Sequence, residues 1–68
     1  MPIVRITMVE GRDNARVERC MREVARIVSQ TLEAPLSTVR VMVDELPANR
    51  FAVGDKLKSD GSGDAKPE

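Results

Sequence analysis

The sequence predicts a small α/β (α+β) unit in strand–helix–strand order, followed by a short hairpin. Three patterns carry that reading. Residues Pro2 to Val9 alternate between two sets of side chains, Val4, Ile6 and Met8 on one side and Ile3, Arg5, Thr7 and Val9 on the other. Apolar residues then recur at helical spacing from about Asn14 to Leu32. A second alternation follows from Val39 to Glu45, with Val39, Val41 and Val43 opposed to Arg40, Met42 and Asp44. Strand, long helix, strand makes a βαβ unit, which requires a parallel strand pair and a right-handed crossover.

The punctuation between these elements agrees. Gly11, inside Glu10-Gly11-Arg12, permits backbone angles that other residues resist, so the first strand turns there. Asp13 is placed to cap the helix by accepting an orphan backbone N–H. Within the helix, Val17, Cys20, Met21, Val24, Ile27, Val28, Thr31 and Leu32 form one stripe that reads as buried. Arg16, Glu18, Arg19, Arg22, Glu23 and Arg26 fall mostly outside it and read as a solvated face. Glu18 with Arg22 and Arg19 with Glu23 stand at the i,i+4 spacing of weak helical ion pairs. Pro35 stops the helix, because the residue before a proline is biased out of the helical region. Leu46-Pro47-Ala48-Asn49 forms a turn. Phe51-Ala52-Val53 is a short extended segment, and Gly54-Asp55 suits a hairpin turn. Residues 1–58 thus read as one domain, and 59–68 as a disordered polar tail with almost no apolar content.

A chain of 68 residues buries only about 60% of its unfolded surface when it folds alone, so its core is marginal. The usual supports are disulfides, a metal or association. A single cysteine, Cys20, excludes an internal disulfide, and the absence of histidine argues against structural zinc. A two-stranded sheet with open edges is unstable in water, and its far face carries Ile3, Val9 and Met42. Physical need alone therefore predicts a homo-oligomer. Eleven basic and eleven acidic residues balance, and Phe51 is the sole aromatic, which argues against nucleic-acid binding. No apolar run approaches a membrane span, and Arg5 interrupts the one stretch that might pass for a signal peptide. A cytoplasmic protein is expected.

Chemistry at neutral pH has few carriers in this composition. There is no histidine, tyrosine or tryptophan. Pro2 follows the initiator methionine, and removal of Met1 is expected before so small a residue. The nitrogen of Pro2 then becomes a secondary amine, the best candidate base in the chain. A free α-amine has a reference pKa of about 7.7–8.0, and proline is intrinsically more basic. An apolar site with nearby cations would lower it toward neutrality, where a base both takes and returns protons well. Arg12 after the first turn and Arg40 within a valine-rich strand are candidate carboxylate binders, since guanidinium recognises carboxylate in a bidentate manner. Phe51 is a candidate pocket wall.

The N-terminal proline, Val9-Glu10-Gly11-Arg12, Ala34-Pro35-Leu36, Val39-Arg40-Val41 and Phe51 together resemble the 4-oxalocrotonate tautomerase (2-hydroxymuconate tautomerase) family over residues 2–54. The resemblance implies a βαβ unit with a C-terminal hairpin, dimers assembled into a hexamer, and active sites shared between subunits. It implies that Pro2 is the general base and that Arg12 binds a substrate carboxylate and stabilises negative charge. It implies that Arg40, from a different subunit, binds the other end of the substrate, and that Phe51 forms part of an apolar wall. The backbone at Val9 and Thr38 is expected near substrate. The implied reaction is enol-to-keto isomerisation of a small unsaturated carboxylic acid, without metal or organic cofactor.

The sequence departs from the family after Phe51, where Ala52-Val53-Gly54-Asp55 replaces a glycine-rich run, and Arg50 places another cation beside Phe51. Two other readings compete. Relatives that hydrate or dehalogenate unsaturated acids use a carboxylate to activate water, for which Glu10, Asp44 and Asp55 are the options here. A non-catalytic assembly subunit is the third reading, and the joint presence of Pro2, Arg12 and Arg40 weighs against it.

Overall fold

The computed structural model describes residues 1–60. Its elements are β1 (Ile3–Val9), α1 (Asn14–Leu32), β2 (Arg40–Leu46), β3 (Ala52–Val53) and β4 (Lys56–Leu57). Single 3₁₀ turns stand at Leu36–Thr38, Ala48–Arg50 and Lys58–Asp60. The βαβ unit and the hairpin are both present as the alternation and turn residues predict.

β1 and β2 pair in parallel, in register from Ile3 opposite Arg40 to Val9 opposite Leu46. The ladder is prolonged at both ends. Arg40 N–H donates to the Pro2 carbonyl at 2.9 Å, and Glu10 N–H donates to the Leu46 carbonyl at 2.9 Å. Val4, Ile6, Met8, Val41 and Val43 are half-buried on one face, and α1 packs more closely on β2 than on β1. The opposite face leaves Ile3, Arg5, Thr7, Arg40, Met42 and Asp44 exposed. Arg5 Nε and Asp44 Oδ2 meet there at 3.4 Å across the two strands. Both partners are exposed, so the pair contributes about 1 kcal/mol or less.

The helix begins and ends for identifiable reasons. Asp13, in extended conformation, accepts from Ala15 N–H at 2.8 Å and Arg16 N–H at 3.3 Å. At the other end Glu33 adopts the left-handed conformation with φ of 55°. Ala34 N–H then returns to the Ser29 carbonyl at 3.1 Å, and Ser29 Oγ donates to the Ala34 carbonyl at 2.6 Å. Arg19 Nε pairs with Glu23 Oε2 at 3.0 Å. The expected Glu18–Arg22 pair is not among the ion pairs of the described residues.

The stripe is buried more narrowly than its periodicity predicts. Val17 is buried, and Met21, Val24 and Val28 are half-buried, but Cys20, Ile27, Thr31 and Leu32 are exposed. The reason is width. Two strands about 4.8 Å apart form a platform no wider than the helix, which is about 10–12 Å across with its side chains. Cys20, Ile27 and Thr31 follow one line along the helix and fall beyond the sheet edge. Among the described residues Val17, 9% exposed, is the one core side chain, while Ile3 is 60% and Val53 68% exposed. A single copy therefore closes almost no core.

In the hairpin, Val53 pairs with Lys56 and Ala52 with Leu57, leaving Gly54-Asp55 as the two-residue loop. Gly54 has φ of +63° while Asp55 has no positive φ, the type II′ pattern that matches strand twist. Ser59 and Asp60, read from sequence as the start of the tail, lie in a 3₁₀ turn. The Asp60 carboxylate accepts from Leu57 N–H at 2.8 Å, so the folded segment extends past the hairpin. The expected disorder of residues 61–68 lies outside the described residues.

Two stability outcomes follow from the helix ends. Asp13→Ala lowers unfolding free energy by about 1 kcal/mol, while Asp13→Asn, itself a good cap, loses much less. Glu33→Gly raises it by about 0.5–1 kcal/mol, because glycine adopts the left-handed conformation without a Cβ clash. Urea midpoints at one fixed protein concentration read both; a loss on Glu33→Gly would contradict the second.

Candidate active site

The predicted site residues divide between the two ends of β1. At its start, Pro2 is half-buried and its carbonyl is held by the Arg40 N–H. Arg40 stands beside it as the first residue of β2, and Val39 alone separates it from the 3₁₀ turn Leu36–Thr38. The Arg40 side chain is exposed, and its Nη1 donates to the Ser37 carbonyl at 3.2 Å. Thr38 N–H and Thr38 Oγ1 both donate to the Pro35 carbonyl, at 2.9 and 2.7 Å.

At the other end, Val9, Arg12 and Phe51 line one open cleft of about 370 Å³, together with Ile6, Thr7 and Met8. Its volume suits a small organic molecule. Gly11 reverses the chain with φ of +133°, which carries Arg12 back beside the end of β1. The Pro47-initiated turn Ala48–Arg50 brings Phe51 to the same place. Arg12 is half-buried, and among the described residues its guanidinium has no carboxylate within ion-pair distance. A cation so placed, partly removed from water and unmatched, favours an incoming anion. A second cleft of about 330 Å³, lined by Gly11, Arg12, Asp13 and Arg16, also borders Arg12.

A third cleft, of about 210 Å³, lies between α1 and β2 and is lined by Asn14, Val17, Glu18, Val43 and Glu45. Its two carboxylates would repel an acidic substrate, so the Arg12 cleft is the better candidate. Among the described residues no group of three or more histidine, cysteine, aspartate or glutamate side chains is placed to hold a metal ion. Of the carboxylates considered for water activation, Asp44 is engaged by Arg5 at 3.4 Å. Glu10 and Asp55 are exposed.

The structure thus joins Pro2 with Arg40, two residues beyond Thr38, and joins Val9 with Arg12 and Phe51, but keeps the two groups apart. At about 3.3 Å per residue, Pro2 and Val9 stand roughly 23 Å from each other along the strand. Sequence reading missed that Ile6, Thr7 and Met8 line the Arg12 cleft. Alternation assigns those residues to opposite faces; a run of consecutive residues around one cleft reflects the free edge of β1, and no periodicity encodes an edge. It also missed the Ser37 carbonyl as a partner of Arg40, a backbone contact with no side-chain signature.

Comparison with known proteins agrees with this architecture. The profile of the tautomerase enzyme family matches residues 2–61, through the hairpin and the 3₁₀ turn that follows it. The 2-hydroxymuconate tautomerase of Pseudomonas putida is 41% identical over 59 residues, 87% of this chain and 94% of its own length. Among solved structures, a 4-oxalocrotonate tautomerase homologue superposes with a TM-score of 0.86 at 30% identity, covering 93% of this chain and 100% of that one. A heterohexameric 4-oxalocrotonate tautomerase from Chloroflexus aurantiacus superposes with a TM-score of 0.83 at 28% identity, covering 90% and 98%. No helix among the described residues is long and apolar enough to cross a membrane. With its βαβ unit, its hairpin and a profile match across almost the whole described chain, the protein belongs to the tautomerase family of enzymes, which are isomerases.

Proposed function

We propose that this protein is a cofactor-independent tautomerase that ketonises a small unsaturated 2-hydroxy diacid of the 2-hydroxymuconate type, with Pro2 as general base. The observation that carries the proposal is the placement of Pro2 and Arg12 at opposite ends of β1, whose outer edge is unpaired among the described residues. If two copies pair their β1 edges antiparallel about a two-fold axis, Pro2 of one copy meets Val9, Arg12 and Phe51 of the other. One symmetric contact then builds two identical sites and closes two open edges. Three such dimers make a hexamer, in which Arg40 reaches the site from a further subunit. The proposed setting is a cytoplasmic pathway of aromatic-compound degradation.

The chemistry follows from the groups so assembled. With Met1 removed, the Pro2 amine takes the hydroxyl proton of the dienol as the electron pair moves toward carbon. The resulting prolinium returns a proton to carbon, so atoms and charge balance without a co-reactant. Arg12 and Arg40 bind the two carboxylates, and the arginine at the developing dienolate stabilises its charge where water is excluded. Phe51 and the aliphatic wall disfavour the protonated amine between turnovers.

An ultraviolet assay of dienol ketonisation tests this directly, after intact mass has established that Met1 is absent. Pro2→Ala lowers kcat/KM by about 10²–10⁴-fold, the usual worth of a general base. Activity equal to wild type would overturn the role of Pro2. Arg12→Ala and Arg40→Ala each raise KM for the diacid by roughly tenfold or more, as loss of a charge-assisted contact does.

A mixing experiment separates a shared site from a site within one chain. Pro2→Ala and Arg12→Ala subunits, each strongly impaired alone at substrate concentrations well below KM, are unfolded together, reassembled in equal amounts and assayed at such concentrations. Random pairing restores Pro2 opposite Arg12 in about one quarter of the sites of a symmetric dimer. Recovery near that fraction of wild-type activity is expected. No recovery, with assembly intact, would place both residues in the same chain and refute the antiparallel pairing.

A further inference from the structure

Arg40 is the one proposed site residue whose guanidinium is held by its own chain, and the holder belongs to a compact hydrogen-bonded turn. Ser29 Oγ and the Ser29 carbonyl bind Ala34 on both sides, at 2.6 and 3.1 Å, fixing where the chain leaves the helix. The next carbonyl, that of Pro35, accepts two donors from Thr38, its N–H at 2.9 Å and its hydroxyl at 2.7 Å. Val39 N–H closes on the Leu36 carbonyl at 3.1 Å. Ser37 lies inside the loop that Thr38 closes, and its carbonyl receives Arg40 Nη1 at 3.2 Å. An isolated 3₁₀ turn of three residues is weak by itself. A hydroxyl bound to the same acceptor as the backbone N–H reinforces it.

We propose that Thr38 is a positioning residue: its hydroxyl locks the Leu36–Thr38 turn so that the Ser37 carbonyl aims the Arg40 guanidinium at substrate. The inference rests on the reading of Arg40 as a carboxylate binder. It also gives Thr38 a role other than direct contact, since its N–H and hydroxyl are both engaged by Pro35. One of the five guanidinium N–H groups is used by Ser37, which leaves an edge for bidentate binding of a carboxylate. The backbone of Arg40 is anchored independently, by its N–H to the Pro2 carbonyl. Thr38 therefore governs the head of the side chain and not its root.

Thr38→Val keeps the shape and branching and deletes the hydroxyl; Thr38→Ser restores it. The Val variant is expected to raise KM for the diacid about 2–10-fold, the worth of one hydrogen bond, with kcat changed much less. The Ser variant is expected to match wild type. In an Arg40→Ala background, Thr38→Val should add nothing further, because the group it positions is gone. A wild-type KM in the Val variant overturns the proposal, and so does an undiminished effect in the Arg40→Ala background. If Arg40→Ala itself leaves KM unchanged, the carboxylate-binding role of Arg40 fails and this inference fails with it. If Arg40→Ala raises KM but the two substitutions are additive, only the positioning role fails. Should the Val variant not assemble, Thr38→Ala serves the same comparison.

Discussion

Among the described residues strand β1 is paired on one side only, and its seven residues hold Pro2 and Arg12 at opposite ends. Everything else about the protein is arranged around that constraint. The parallel ladder to β2, in register along its whole length, fixes β1 as a straight rod and leaves its outer edge unsatisfied. A free edge must find a partner strand, because buried N–H and C=O groups without partners are expensive. The same rod keeps the candidate base and its candidate anion binder too far apart to act together within one copy. Backbone pairing and site assembly thus make the same demand, and the proposed antiparallel contact between copies would meet both.

The helix reveals the constraint from the side of packing. Its amphipathic pattern is broad, running from Val17 to Leu32 with eight residues in the stripe, yet the two-stranded platform covers only part of it. Cys20, Ile27 and Thr31 remain in solvent on one flank, and Leu36 is exposed just beyond the helix end. On the other flank Ala25 and Ser29, which the apolar pattern does not single out, are half-buried. A four-stranded sheet made by two copies would carry two helices, so that surface exposed on one helix could meet the partner copy. The stripe therefore describes the helix in the proposed dimer better than in the isolated chain.

Much of the fold was legible because its signals are local. Asp13 and Pro35 bracket the helix, which runs over Asn14–Leu32 as its periodicity predicts, and both strands begin within one residue of the expected place. Gly54-Asp55 occupies the hairpin loop because the turn needs a positive φ at its first central residue. The site was legible as a set of residue types but not as a place. Pro2, Arg12, Arg40 and Phe51 stand out by chemistry, whereas the separation of Pro2 from Arg12 is a matter of strand length, and the alignment of Arg40 depends on a carbonyl. Asp60 escaped notice for a related reason: its bond to the Leu57 N–H lies in a segment whose composition reads as tail.

In the proposed dimer, sharing the site between copies couples chemistry to association. With Val17 as the one core side chain of the described residues, an isolated copy has little to hold it folded. Anything that binds the folded form alone stabilises it by mass action, and a partner copy does so in proportion to its concentration. Dilution that separates the copies would remove the core and the Arg12–Pro2 juxtaposition in the same step. A separated subunit with an exposed, half-assembled site would then have no persistent existence. Reversible loss of stability and of activity should accordingly share one midpoint in protein concentration. A conventional enzyme with a self-contained pocket would keep its activity on dilution until it unfolded. In the proposed dimer the free edge of β1 ties the two properties to a single contact.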